Sequence, residues 1–323
     1  MKISAFLYDA DGSDKELEFS EDICRNISGD QLLWITILER EKDVIEQVVE
    51  ALNLKNAPVK DILRHKERPK LEIFENFYRI FVVSVNSEKN KKLEIIPIDF
   101  IVKTNVIVTV HNGGVKFFEE YRNLDKGETQ LGRLNTESFI ASLLDLHIVS
   151  YFMALENIEE KVDKLDDLIL TKDLSDDEFL EEMLELRHKV SKLRRLFLPH
   201  RDVFYALSRP DFFLSVESDS TAELQKLNER FDHAVEAIES SRDMVLSLFD
   251  LYTTRAAHKM NQTIKTLTFV TIIFGGLGVI AGVFGMNFEV GFFKFSGGFW
   301  IIVLGMGLLA GGITTAARMK NWI

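Results

Sequence analysis

The sequence predicts an α/β N-terminal cytosolic domain followed by long α-helices and a two-helix transmembrane hairpin. Runs rich in β-branched and aromatic residues fill the first third, the hydrophobic period turns helical from Thr136 onward, and residues 266–288 and 295–317 carry no charge over 23 residues each. As helices rising ~1.5 Å per residue, the two uncharged runs would each reach about 34 Å, enough for a ~30 Å hydrocarbon core with some tilt.

Each element follows in chain order. The runs "KISAFLY", "LLWITIL", "LEIFENFYRIFVVSV" and "LEIIPIDFIVKTNVIVTVHNG" read as strands, the last as two strands joined near residues 103–105. They make a cytosolic α/β domain over 1–125. Two long helices, 136–170 and 176 to about 207, separated by "TKDLSDD", make an acidic helical hairpin over 126–219. A third helix begins at "SDSTAEL", where Ser220 is a natural N-cap and Glu223 stands three residues later, the spacing of a capping box. No proline follows Pro210, so one helix is expected from Thr221 to Phe284, roughly 96 Å long. It divides into a cytosolic stalk (220–265) and a first transmembrane helix (266–288). An external loop (289–294), a second transmembrane helix (295–317) and a basic cytosolic end (318–323) complete the chain.

The chain has 323 residues and a net charge of −12, with the acid crowded upstream of residue 260. The opening "MKISAFLYDADGSD" turns acidic too soon for a secretory signal, so this part is expected in the cytosol. His258, Lys259, Lys265, Arg318 and Lys320 flank the spans on one side, and by the positive-inside bias both long ends belong in the cytosol. Trp300 and Trp322 sit where interfacial indoles anchor. The single cysteine, Cys24, excludes an intrachain disulfide and reads as a small buried hydrophobe. There is no Gly-Lys phosphate loop, no HExxH, and no paired cysteines or clustered histidines. The acidic turn "DADGSD" places its glycine too early for a calcium loop. Neither an enzyme, an organic cofactor nor a nucleic-acid partner is expected.

Along the third helix Leu224, Leu227, Phe231, Ala234, Ile238, Ser241, Val245, Leu248 and Tyr252 alternate steps of three and four, the seam of a bundled helix. The alternation resumes with Ile264, Thr268, Thr271, Gly275, Gly278, Gly282 and Gly285, which reads as one unbroken seam. A face of small residues serves either close helix packing, as Gly278 and Gly282 in GxxxG spacing would, or a water-bearing pore. Asn287 is either a helix C-cap beside a glycine or an ion-facing amide. Glu156, Glu159, Glu160, Asp163, Asp166 and Asp167 form an acidic patch, read as a solvated helix face or as an electrostatic lure for cations.

The segments "MNQTIKTLTFVTIIF" and "AGVFGMNFE" resemble the first transmembrane helix and Gly-Met-Asn signature of the CorA family of magnesium channels. "HKERPKLEIFENF", "LFLPHRDVFYAL" and "SRDMVLSLFDLY" extend the resemblance over nearly the whole chain. What it implies is a homopentameric helical funnel in a prokaryotic inner membrane, taking up Mg²⁺, with Co²⁺ and Ni²⁺ as further candidate cargo. Gly285, Met286 and Asn287 would form the selectivity ring and Glu289 the external acid. Asn261, Ile264, Leu267, Thr268, Thr271, Gly275, Gly278 and Gly282 would line the pore, with Ile264 and Leu267 at apolar gate positions. Lys226 stands where the family places a regulatory aspartate. A zinc or proton-coupled transporter of the same fold is the alternative.

Overall fold

The computed structural model describes residues 2–9, 14–87, 93–115, 117–118, 121, 135–171, 177–212, 221–286 and 297–320. They fall into two compact units that divide after Leu248.

The first unit is built on a seven-stranded sheet of order β2-β1-β3-β7-β6-β5-β4. Its strands are β1 (Ile3–Asp9), β2 (Lys15–Leu17), β3 (Gln31–Ile37), β4 (Lys70–Ile73), β5 (Tyr78–Asn86), β6 (Glu94–Lys103) and β7 (Val106–His111). All neighbours pair antiparallel except β3 and β7, which run parallel. Helices α1 (Glu21–Arg25), α2 (Lys42–Ala51) and α3 (Val59–Ile62) are short; Ile45, Val48 and Ile62 join Leu33, Ile35, Ile37, Val108 and Val110 in one core. On β3 the alternate residue Trp34 instead meets Phe139 of α4 (Thr136–Thr171), ring centroids 5.6 Å apart. Both faces of the sheet are therefore covered, which is why its central strands read as continuous apolar runs. The 103–105 turn is there, closed by Asn105 at φ 57°, a conformation asparagine tolerates.

The period change at Thr136 marks a new element but not a new unit. Although α4 is long and apolar enough to cross a membrane, its apolar stretch is mostly buried. It is clamped to β5: Tyr151 Oη donates to the Val83 carbonyl at 2.6 Å, and His147 Nδ1 lies 2.6 Å from Ser84 Oγ. The next helix, α5 (Asp177–Phe197), ends in a 3₁₀ turn at Leu198–His200 beside Pro199 and resumes as α6 (Arg201–Leu207). Where one helix to residue 207 was expected, proline's missing N–H and its clash with the preceding turn replace one turn of α-helix by the 3₁₀ segment. His200 Nε2 accepts the Val83 N–H at 2.9 Å, so its Nδ1 carries the proton toward the Phe197 carbonyl at 3.0 Å.

A single helix, α7 (Thr221–Phe284, 64 residues), runs from the first unit into the second, and α8 (Gly298–Met319) is the last. No proline interrupts α7, as the sequence predicts. Ser220, Asn287, Glu289, Trp322, "KDLSD" of the turn after Thr171, the 289–294 loop and most of "DADGSD" lie outside the described residues.

Candidate ion pathway

The lower seam of α7 is consumed by its own chain. Leu224, Leu227, Phe231, Ala234, Ile238, Ser241, Val245 and Leu248 are all buried. Phe231 stacks between Phe197 and Phe204, ring centroids 4.7 and 4.8 Å away, and Ser241 Oγ donates to Glu159 Oε1 at 2.8 Å. Further along, Asn261, Ile264, Leu267, Thr268, Thr271, Gly275, Gly278 and Gly282 are all exposed, Leu267 by 65%.

These are two seams, not the single unbroken one expected. Steps of three and four drift only about 20° per heptad, too little for a half turn over 27 residues; the twelve-residue gap from Tyr252 to Ile264, which turns the line by about a third of a turn, breaks the seam. Ile273 lies 25 residues beyond Leu248, about seven full turns, whereas Gly275 at 27 residues falls half a turn away. The buried seam therefore leads to Ile273. Among the described residues of the apolar stretch, Phe269, Ile273, Leu277 and Ile280 are half-sheltered, and on α8 a matching stripe of Ile302, Met306, Ala310, Ile313 and Ala317 is sheltered too. Such one-sided shelter is what two helices of a hairpin give each other. The Gly/Thr face looks the opposite way.

The chemistry of that face is simple. A Cβ added at Gly275, Gly278 or Gly282 would meet nothing within 4 Å, so nothing in the chain itself demands a missing side chain there. Thr271 Oγ1 donates its proton back to the Leu267 carbonyl at 2.8 Å, which leaves the hydroxyl lone pairs outward as acceptors. At Gly285 the helix tightens: its N–H bonds the Ala281 carbonyl at 2.8 Å, and a Cβ would stand 3.1 Å from that same oxygen. Met286 is half-exposed, and Asn287 comes next in sequence.

The acidic patch does not converge. Glu160 pairs with Lys164 at 3.0 Å, Glu159 accepts from Ser241, and no metal-type cluster of three or more such residues occurs among the described residues. Lys226 lines a cavity of about 370 Å³ with Ser138, Ser142, Asp145 and Arg230. Burial pushes the Asp145 carboxyl up, against the pull of Arg230 at 2.9 Å.

Fold and pathway define a class: membrane proteins with a large α/β body, one very long helix and a C-terminal two-helix hairpin. The family described as "CorA-like Mg2+ transporter protein" matches residues 29–316, and the chain belongs to it. The cobalt/magnesium transport protein CorA of Thermotoga maritima is 26% identical over 294 residues, covering 90% of this chain and 83% of that protein. The complete structure of the CorA magnesium transporter from Methanocaldococcus jannaschii superposes with a TM-score of 0.76 at 22% identity, covering 99% and 98% of the two chains, which shows a shared fold. The zinc transport protein ZntB of Yersinia enterocolitica is 24% identical over 156 residues, covering 48% of this chain and 46% of that protein.

Proposed function

We propose that the chain assembles as a homopentamer in a prokaryotic inner membrane and passes Mg²⁺ inward, driven by the membrane potential. The observation that carries this reading is the exposed Gly/Thr face of α7, turned away from the half-sheltered stripe of Phe269, Ile273, Leu277 and Ile280. Five such faces around an axis would give a water-filled path lined by backbone and hydroxyl acceptors. A divalent ion gains about 4.6 kcal/mol per 100 mV on entry, so no nucleotide site is required.

Asn287 takes the outer mouth in this reading. Mg²⁺ gives up its octahedral water shell reluctantly, so an entrance selects it best by hydrogen-bonding those waters. Amide oxygens accept such bonds without the grip of a carboxylate ring. Gly285 and Met286 place the amide, Glu289 draws cations from a distance, and Ile264 and Leu267 form an apolar constriction that closes by dewetting, with Asn261 below it. Both long ends are then cytosolic.

A zinc or proton-coupled transporter is the second reading, favoured by the partial match to a zinc transport protein. Flux into proteoliposomes separates the two. Potential-driven Mg²⁺ entry, with Co²⁺ and Ni²⁺ as further cargo and no dependence on a pH gradient, is the expected result; Zn²⁺ entry that collapses without the gradient would select the second reading.

A further inference from the structure

Strand β5 outruns its outer neighbour. β4 covers it only from Tyr78 to Phe81, so two residues further on the backbone of Val83 has no strand partner on that edge. Side chains stand in for the missing strand: His200 Nε2 accepts the Val83 N–H at 2.9 Å, and Tyr151 Oη donates to the Val83 carbonyl at 2.6 Å. His147 Nδ1 meets the adjoining Ser84 Oγ at 2.6 Å, and its ring centroid lies 4.7 Å from that of His200.

The pair has no place for a positive charge. With His200 Nδ1–H engaged by the Phe197 carbonyl at 3.0 Å, a proton can enter only at Nε2, and only where the bond to Val83 is given up. His147 Nε2 is buried with no hydrogen-bond partner among the described residues. The two rings are packed by Val83 and Ser84 of β5, Tyr151 of α4, Phe197 of α5 and Phe204 of α6. Tyrosine is the one other titratable group there, and no carboxylate among the described residues acts on either imidazole. Since a buried charge without a partner is costly, protons are taken up by the opened site and not by the closed one. Opening also concerns α7, because Phe197 and Phe204 are the rings between which Phe231 stacks.

We propose that His147 and His200 form an acid-operated latch: neutral, they hold the 3₁₀ segment and α6 against the open edge of β5, and protonation releases these and the grip on Phe231 without unfolding the sheet. This does not rest on the ion-pathway reading. The test is hydrogen exchange of the full-length protein in detergent between about pH 7 and 5, read by mass spectrometry and corrected for the intrinsic exchange rate. Protection over 78–86 and 198–207 should fall up to about tenfold per pH unit for each histidine below about pH 6.5, while β3 and β7 keep theirs. His200→Gln, whose amide oxygen can accept the Val83 N–H but takes up no proton, should halve that slope, and adding His147→Phe should remove it. An unchanged slope in the double variant overturns the proposal. Where the variants do not fold, the parent protein decides: pH-independent protection at the latch, or a loss that strikes β3 and β7 equally, overturns it as well.

Discussion

Phe231 and Gly278 belong to the same 64-residue helix, yet their surroundings have little in common. Phe231 is fully buried between two aromatic rings of its own chain, while a side chain built at Gly278 would touch nothing within 4 Å. The α/β body thus closes its apolar faces internally. In the apolar stretch of α7 no described residue is buried, and in α8 only Gly298 and Ala317, at its two ends, are. What completes the hairpin lies outside the chain, in lipid and, on the proposed reading, in other copies. Stability should therefore be set by substitutions in the body, and transport by substitutions on the Gly/Thr face.

The largest expected effect breaks the body. Asp99, fully buried, receives Arg79 Nε at 2.6 Å and also pairs with the buried Arg40. Asp99→Ala leaves the buried Arg40 with backbone carbonyls alone, while Arg79 keeps Glu67 and Glu72, so one buried guanidinium loses its counter-charge, a loss of about 3 to 5 kcal/mol. Thermal unfolding of the body should show it as a collapse of the transition; a transition within a few degrees of the parent would mean that Arg40 finds water. On the other side of the comparison, Gly278→Leu together with Gly282→Leu should abolish Mg²⁺ flux while leaving the unfolding transition of the body in place. Unimpaired flux in that variant would return the Gly/Thr face to helix packing.

A third prediction concerns acid. His147 and His200 are fully buried with ring centroids 4.7 Å apart. Burial pushes both imidazoles below their ordinary range, His147 also by the neighbouring ring, and His200 to about 4. The unfolded chain, titrating near 6.5, then binds more protons than the folded one below that pH. Stability of the body should be fully present above about pH 6.5 and fall toward pH 4, by up to about 1.4 kcal/mol per pH unit for each histidine. Urea midpoints at three pH values check this, and a flat profile over that range contradicts the neutral pair. The smallest effect is that of Glu289→Gln. Removing a long-range attraction should slow uptake at low ionic strength and leave it nearly unchanged at physiological salt.

Much of the fold was legible because period and composition are local properties. The two spans, the continuous α7 and the strands β1, β3, β6 and β7 all follow from them. "LEIFENFYRIFVVSV" hid a turn: Phe74 and Phe77 stack at 4.5 Å and the Phe74 N–H bonds the Phe77 carbonyl at 2.9 Å, with no glycine or proline to mark it. The parallel pairing of β3 with β7, the Arg40–Asp99–Arg79 cluster and the His147–His200 pair join residues far apart in sequence, where no spacing rule reaches. The seam of α7 was misread for a different reason. An alternation of three and four says that a helix has a partner but not which, and the twelve-residue gap between Tyr252 and Ile264, which shifts the line by about a third of a turn, was read through as if the seam were continuous. The residues of the Gly/Thr face were legible as a set; that they lie opposite the half-sheltered stripe of Ile273 and Leu277 was not.

The central claim is that Asn287 ends this face as the ring that captures hydrated Mg²⁺, and its most direct test is Mg²⁺ uptake by Asn287→Ala in proteoliposomes. Each lost hydrogen bond to a charged species removes about 1.5 to 3 kcal/mol, so uptake should be abolished, while native mass spectrometry of the same preparation still gives the pentamer. An intact Asn287→Ala pentamer that takes up Mg²⁺ at the parental rate would contradict the account, leaving the amide as a helix cap and the capture site elsewhere on α7.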